Sequence, residues 1–202
     1  MRNDAPIKPL GELADIRLGY PFRGGISEVP GGAVRVIQTR DLSRDGLKPQ
    51  SDWLTTQMEG RKQPDWLLDQ DVLFAARGTH TYAALVTLPP AQTVCSPHLY
   101  VIRVRAPQQL LPAFLAWQLN QAPIQRYLRQ WAEGSHQLSI RRTVLEGALV
   151  RIPPLEQQRT AIKLQRAALA ERDALQALIT NREMELAMLA EHLLANNYGS
   201  HP

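Results

Sequence analysis

The sequence predicts a mixed α/β body over residues 1–152, followed by one long helix over residues 153–197 that pairs with another chain. Three observations predict this. Before Pro153-Pro154 the apolar runs are short, of strand length, and separated by frequent Gly and Pro. Two stretches with helical periodicity interrupt those runs. From Leu155 to Asn197 there is no Gly and no Pro, and Ala, Leu, Glu, Gln and Arg dominate. With 202 residues, 44% of them hydrophobic, the chain can bury a core without covalent staples.

The elements follow in order. Val34-Arg35-Val36-Ile37 reads as a short strand, residues 71–75 as another and residues 84–88 as a third. Residues 98–105 alternate, with Tyr100, Ile102 and Val104 on one face and Arg103 and Arg105 on the other, the pattern of a half-buried strand. Pro112 opens a helix carrying Phe114, Leu115, Trp117 and Leu119. Pro123 opens a second, with Ile124, Tyr127, Leu128 and Trp131 at i, i+3, i+4 and i+7. Ser139 is placed to cap a short helix over residues 141–146. Residues 148–152 return as a strand. Residues 23–32 and 41–60 read as long loops, where binding residues concentrate.

Pro154 suits the first position of the last helix, and Glu156 in its first turn suits the dipole. Leu175, Ile179, Leu186, Leu189 and Leu193 mark one apolar stripe, with Leu178 beside it. Asn196, Asn197 and Gly199 supply a stop, leaving a disordered tail over residues 198–202. A helix of about 40 residues is on the order of 60 Å long. That exceeds the width of so small a domain, so the stripe lacks a partner within one copy. Two shorter helices folded into a hairpin would cover it, but no Gly or Pro permits the turn. An intermolecular coiled coil is the better reading, with Arg172 and Arg182 interrupting its seam.

The formal charge of +4 is unevenly spread. Residues 1–154 carry 18 Lys and Arg against 13 Asp and Glu, and residues 155–202 carry 5 against 6. A basic body with a neutral tail suits a polyanion bound by the body alone. Lys8, Lys48, Lys62 and Lys163 are the only lysines. The other cations are arginines, whose planar fork grips phosphate and reads guanine. The single cysteine, Cys95, excludes an internal disulfide or a multi-cysteine cluster and fits a reducing compartment. The N-terminus has no apolar signal core and no run approaches the ~18 apolar residues of a spanning helix. The expectation is a soluble cytoplasmic protein with no membrane partner.

Enzyme signatures are missing. Gly24-Gly25 and Gly31-Gly32 lack the lysine and the spacing of a phosphate-cradling loop. His80, His98, His136, His192 and His201 form no paired metal spacing, so no metal is expected. Cys95 with His98 three residues on could be a nucleophile, but reads as a small buried hydrophobe beside a strand. Asp69 and Asp71 precede no Glu-x-Lys strand of a nuclease, and no Asn-Pro-Pro-aromatic motif for methylating an exocyclic amine is present. No residue is therefore assigned to catalysis, and the chain reads as a binding module.

Three segments have the make-up of a nucleic-acid contact. Gln38 and Arg40 follow a strand, with Arg44 just beyond. Arg77, Thr79, His80 and Tyr82 occupy a polar turn between two apolar strands. Ser135 and His136 lead towards Arg141 and Arg142. Arg and Gln make bidentate contacts to guanine and adenine edges, while Ser, Thr and His more often hold phosphates. The plainer reading of each is a solvated loop whose side chains cap nearby backbone. Arg17, Arg61, Lys62, Arg126 and Arg129 read as ordinary surface charge.

Several motifs, in order, resemble the target-recognition domain of specificity (S) subunits of type I restriction-modification systems. Leu10-Gly11-Glu12-Leu13, continuing to Gly19-Tyr20-Pro21-Phe22-Arg23, resembles their opening segment and its Gly-aromatic-x-Phe turn. Val36-Ile37-Gln38-Thr39-Arg40-Asp41-Leu42 looks like their next strand and turn. Residues 68–78 are similar to their Leu-x-x-Gly-Asp strand ending in Arg-Gly, with Gln70 where the family has Gly. Gly134-Ser135, followed by Ile152-Pro153-Pro154-Leu155-Glu156-Gln157-Gln158, looks like their Gly-Ser turn and the start of their spacer helix, one residue shorter.

The resemblance runs from about Leu10 to Leu194. It implies a non-catalytic DNA-binding subunit with Arg23 added to the candidate contacts. The implied partners are double-stranded DNA, methyltransferase subunits and a translocase-nuclease subunit. S-adenosylmethionine would belong to the methyltransferase, leaving this chain without a cofactor. The usual subunit carries two recognition domains and two helices; this chain carries one of each, which resembles a half-subunit acting as a homodimer on a bipartite site. The rival class is a helical adaptor that dimerises and scaffolds proteins without binding DNA.

Overall fold

The strands of the body gather into two main sheets, described by a computed structural model covering residues 5–58, 64–134 and 138–195. The larger sheet is antiparallel, in the order Ala14–Leu18, Leu99–Val104, Val72–Ala75, Ala83–Leu85. The smaller has Val34–Ile37 at its centre, parallel to Thr93–Cys95 and antiparallel to Leu54–Thr56. A parallel pair needs a long crossover. Here the chain between the two parallel strands supplies six strands, from Leu42–Ser43 to Ala83–Leu85, before it returns.

Helices α1 (Leu10–Leu13), α2 (Pro112–Leu119), α3 (Ala122–Gln130) and α4 (Arg142–Glu146) belong to the body, and α5 spans Leu155–Ala195. Both predicted proline starts hold, because proline lacks only an N–H that the first turn leaves unpaired. Phe114, Leu115 and Leu119 of α2, Ile124 and Leu128 of α3 and Leu145 of α4 form one cluster with Phe74, Tyr100 and Ile102 of the large sheet. Leu73, Leu99 and Val101 form a second with Ile37, Trp53, Val86 and Cys95.

That arrangement overturns the half-buried reading of residues 98–105. Leu99, Val101 and Ile102 are all 0% exposed, so Leu99–Val104 is covered on both faces. Helices cover one face, and the strand Val34–Ile37 and its neighbours cover the other. The arginine expected on an open face, Arg103, makes a two-pronged ion pair with buried Asp71 at 2.7 and 2.8 Å. Arg105 pairs with Asp15 at 2.7 Å.

Four smaller expectations change. Residues 41–60 are not one long loop: they hold the hairpin Leu42–Ser43 with Gly46–Leu47 and the strand Leu54–Thr56. Glu59 and Gly60 lie outside the described residues. Ser139 does not cap a helix; it lies in the strand Leu138–Ser139, paired with Arg77–Gly78, and Arg141 takes the cap position of α4 without a side-chain bond. The third strand is Ala83–Leu85 and stops before Leu88, whose φ of +43° leaves the extended region. Helix α5 starts at Leu155, with the Pro154 carbonyl accepting from the N–H groups of Gln157 and Gln158.

The hairpin alternative for the C-terminal segment is excluded, because Leu155–Ala195 is one continuous helix. The chain divides into two units, residues 1–162 and 163–202. The first two turns of α5 belong to the body. Gln158 is fully buried; its amide nitrogen donates to the carbonyls of Gln109 and Pro153, both at 2.7 Å, and its oxygen accepts from the N–H of Leu111 at 2.9 Å. Such satisfied buried amides add direction to a packed joint. Beyond it, every residue from 170 to 194 is exposed. Residues 196–202, with the predicted stop and tail, lie outside the described residues. No described helix is long and apolar enough to cross a membrane.

Candidate nucleic-acid interface

Three segments far apart in sequence are drawn onto residues 95–99 by backbone hydrogen bonds. Gly19 and Tyr20 donate to the carbonyls of Leu99 and Cys95 at 2.9 and 2.8 Å. The approach is so close that a Cβ at Gly19 would stand 2.1 Å from the Ser96 carbonyl oxygen, so no other residue fits. The N–H of Ser96 donates to Ile37 O at 2.8 Å, setting Gln38 alongside, and that of Ala76 donates to His98 O at 2.9 Å, setting Arg77 alongside.

The product is a recess of about 460 Å³. Phe22, Gly24, Gly25 and Ile26 line one side, Gln38, Thr39 and Arg40 another, and Ser96, Pro97 and His98 complete it. The 3₁₀ turn Thr39–Asp41 is held by Asp41, whose carboxylate accepts from the Gln38 N–H at 2.8 Å. Ser96 is 4% exposed, and its hydroxyl has no hydrogen-bond partner among the described residues. The contribution of residues 96–98 had no local signal: they read as the approach to a strand, and only the fold turns them into a wall.

The predicted polar turn is built as a presenting loop. Ala75 N–H donates to Tyr82 O at 2.9 Å, closing it. Gly78, at φ +144°, lies against the Thr39 methyl group, which a Cβ there would meet at 3.3 Å. Thr81 points inward: its hydroxyl donates to Gln125 Oε1, and Gln125 Nε2 donates to its carbonyl, each at 2.8 Å. Arg77, Thr79 and His80 are left exposed. Half-buried Tyr82 stacks on His80, ring centroids 4.9 Å apart and planes 20° apart. Burial raises the Tyr100 phenol above its usual value, while Arg77 and Arg142 pull it the other way.

The candidate arginines separate into two sets. Arg23, Arg40, Arg44 and Arg77 are exposed and have no carboxylate partner among the described residues. Arg141 is ion-paired with Glu133, and Arg142 with Glu146 at 2.7 Å. A guanidinium with a carboxylate on it brings little net charge to a phosphate. Arg23 flanks the recess-lining glycines and Arg40 lines the recess, whereas Arg44 sits in the separate hairpin turn. Ser135 and His136 lie outside the described residues.

The proposed dimerisation residues Leu175, Leu178, Ile179, Leu186, Leu189 and Leu193 are each at least 50% exposed. Cys95 is buried, and loss of solvation pushes its thiol up to about 12. It is no thiolate nucleophile at neutral pH, so the buried-hydrophobe reading stands. Asp69 and Asp71 are structural, accepting from the N–H groups of Leu88 and Leu68 at 2.8 and 2.9 Å. No group of three or more His, Cys, Asp or Glu that could hold a metal ion occurs among the described residues.

No family model matches the sequence, and no curated protein matches it. Solved structures do match the fold. The S subunit of a type I restriction-modification system from M. genitalium superimposes with a TM-score of 0.60 at 15% identity, over 97% of this chain and 50% of that one. The HsdS subunit from Thermoanaerobacter tengcongensis gives 0.62 at 18%, over 96% and 45%. A chain from a structure on complex assembly and conformational transition of the type I R-M system gives 0.65 at 19%, over 96% and 46%. The chain spans about half the length of the structures it matches, and over that span it has the fold of type I restriction-modification S subunits.

Proposed function

We propose that this chain is a non-catalytic specificity subunit of a type I restriction-modification system that binds duplex DNA. One observation carries the reading: the chains that share its fold over nearly its whole length include type I S subunits, and of the unpaired arginines Arg40 lines the recess while Arg23 and Arg77 each adjoin a residue that lines it or bonds to its wall. Arg77, Thr79, His80 and Tyr82, with Gln38 and Arg40, are the proposed DNA contacts. Ser135, His136, Arg141 and Arg142 come next, the last two after release from their carboxylates. The partners are methyltransferase subunits, which bring S-adenosylmethionine, and a translocase-nuclease subunit.

Two copies joined through Leu175, Ile179, Leu186, Leu189 and Leu193 would present two recognition domains to a two-fold related, interrupted site. The supporting feature is the seam itself, exposed throughout one copy. Light scattering of the full chain tests the pairing: the mass of two copies is expected, falling to one in Ile179→Lys with Leu186→Lys. A single-copy mass for the unmodified chain removes the symmetric site from the proposal.

DNA recognition is tested by selecting from a random duplex pool with the purified chain, then measuring affinity at several salt concentrations. A strongly salt-dependent affinity and an enriched bipartite sequence are expected. Arg77→Ala should cost roughly 1–3 kcal/mol and relax one position if Arg77 reads a base. Salt-independent or absent binding to every duplex would leave the helical adaptor as the surviving function.

A further inference from the structure

The turn that carries Arg77 is fastened directly to α3 at one end and reaches the segment after it through Leu138–Ser139 at the other. Thr81 is doubly hydrogen-bonded to Gln125 near the start of the helix. At the other end, Arg77 pairs with Ser139, and Ser139 pairs with Glu133, three residues beyond the last helical residue. The segment from 125 to 133 therefore touches the turn at Thr81 and ends one strand, Leu138–Ser139, away from Arg77. Ile124, Gln125 and Leu128 face the body. One helical turn on from Gln125, on the neighbouring stripe, stands Arg129, and Arg126 lies further round the same exposed side. Both are exposed, and neither side chain has an ion-pair or hydrogen-bond partner among the described residues.

The sequence alone makes these two arginines ordinary surface charge. The fold sets them on the helix whose Gln125 holds the presenting turn, and leaves them as uncancelled as Arg77. Arg141, on the segment beyond, is by contrast held by Glu133. We propose that Arg126 and Arg129 extend the nucleic-acid interface along α3 and hold the phosphate backbone of the duplex whose bases meet the turn. The proposal rests on the DNA-recognition reading and adds to it a positioning role: these two cations fix where the turn lies on the duplex without reading sequence.

The test is fluorescence anisotropy of the full chain with labelled duplexes of several sequences across a salt series. Arg126→Gln with Arg129→Gln should weaken binding equally for every sequence and reduce the slope of log affinity against log salt by about 2, one per phosphate contact. Arg126→Lys with Arg129→Lys should restore the slope. Lys163→Gln with Arg166→Gln, the same charge change placed in the second part of α5, should leave it unchanged. Circular dichroism melting checks that all three variants fold. A wild-type slope in the double glutamine variant overturns the inference while DNA recognition stands. So does a loss confined to some sequences, or an equal loss in the α5 control. Absence of DNA binding by the unmodified chain overturns the recognition reading and this inference together.

Discussion

In the body, most of the large apolar side chains are inside: Phe74, Leu73, Leu115 and Leu128 are fully buried. In the second part of α5, Leu175, Ile179, Leu186 and Leu189 are all at least 50% exposed, although they repeat at helical spacing. Both regions are rich in leucine, yet only the body uses its leucines within one chain. The body is therefore self-sufficient in apolar burial, at roughly 1.5–3 kcal/mol for each large side chain. The second part of α5 is built of strong helix formers, and its apolar seam is exposed.

The sharpest way to break this comparison is a pair of truncations. Phe74→Ala empties the centre of the first cluster and should lower unfolding stability by about 3–5 kcal/mol. Leu189→Ala should change the unfolding of the body by less than about 0.5 kcal/mol. Denaturant titration followed by near-UV signals measures both, and equal losses would mean that the two regions do not differ.

Next in size is the ion pair that ends the large sheet. Asp71→Asn removes the carboxylate that holds Arg103 while keeping an acceptor for the Leu68 N–H. A cost of about 2 kcal/mol is expected, limited because Arg103 is partly exposed. Thermal unfolding reads it, and no shift in midpoint would make the pair mere surface charge.

Alkaline pH sharpens the comparison further, because the one thiol reports on the body alone. The unfolded Cys95 thiol ionises near its ordinary 9.0 and the folded one at about 12. Between these values the unfolded chain gives up a proton that the folded chain keeps, so stability falls as pH rises from about 9 to about 12. Cys95→Ala should flatten that part of the curve, and an unchanged curve would contradict the buried thiol. The smallest expected effect is a gain. Gln70 sits at φ +68°, where the resembling family has Gly. Gln70→Gly should stabilise the body by roughly 0.5–1 kcal/mol, relief of backbone strain being partly offset by a more flexible unfolded chain.

The resemblance and the observed backbone meet at that position: the family's glycine answers a left-handed residue before Asp71, and this chain tolerates Gln there. Gly19 is the same lesson in stricter form, since the Ser96 carbonyl leaves no room for a side chain. Both motifs were visible as residues, but what they do became visible only once residues 95–98 lay beneath Gly19 and beside Arg77.

What the sequence by itself determined was local. The strands around Val36, Phe74 and Ile102, the helices opened by Pro112 and Pro123, and the unbroken α5 all follow from apolar period, proline geometry and helix propensity, which act over a few residues. What only the tertiary structure decided was which groups meet. The strand Leu54–Thr56 formed because Val34–Ile37 had a free edge beside it. Leu99–Val104 lost its open face because it lies inside a covered sheet. Arg141 and Arg142 were neutralised by carboxylates, whereas Arg77, Arg126 and Arg129 were not. A cation's availability to a phosphate depends on distances across the fold, and Coulomb attraction and hydrogen bonding fall off over a few ångströms whatever the separation along the chain.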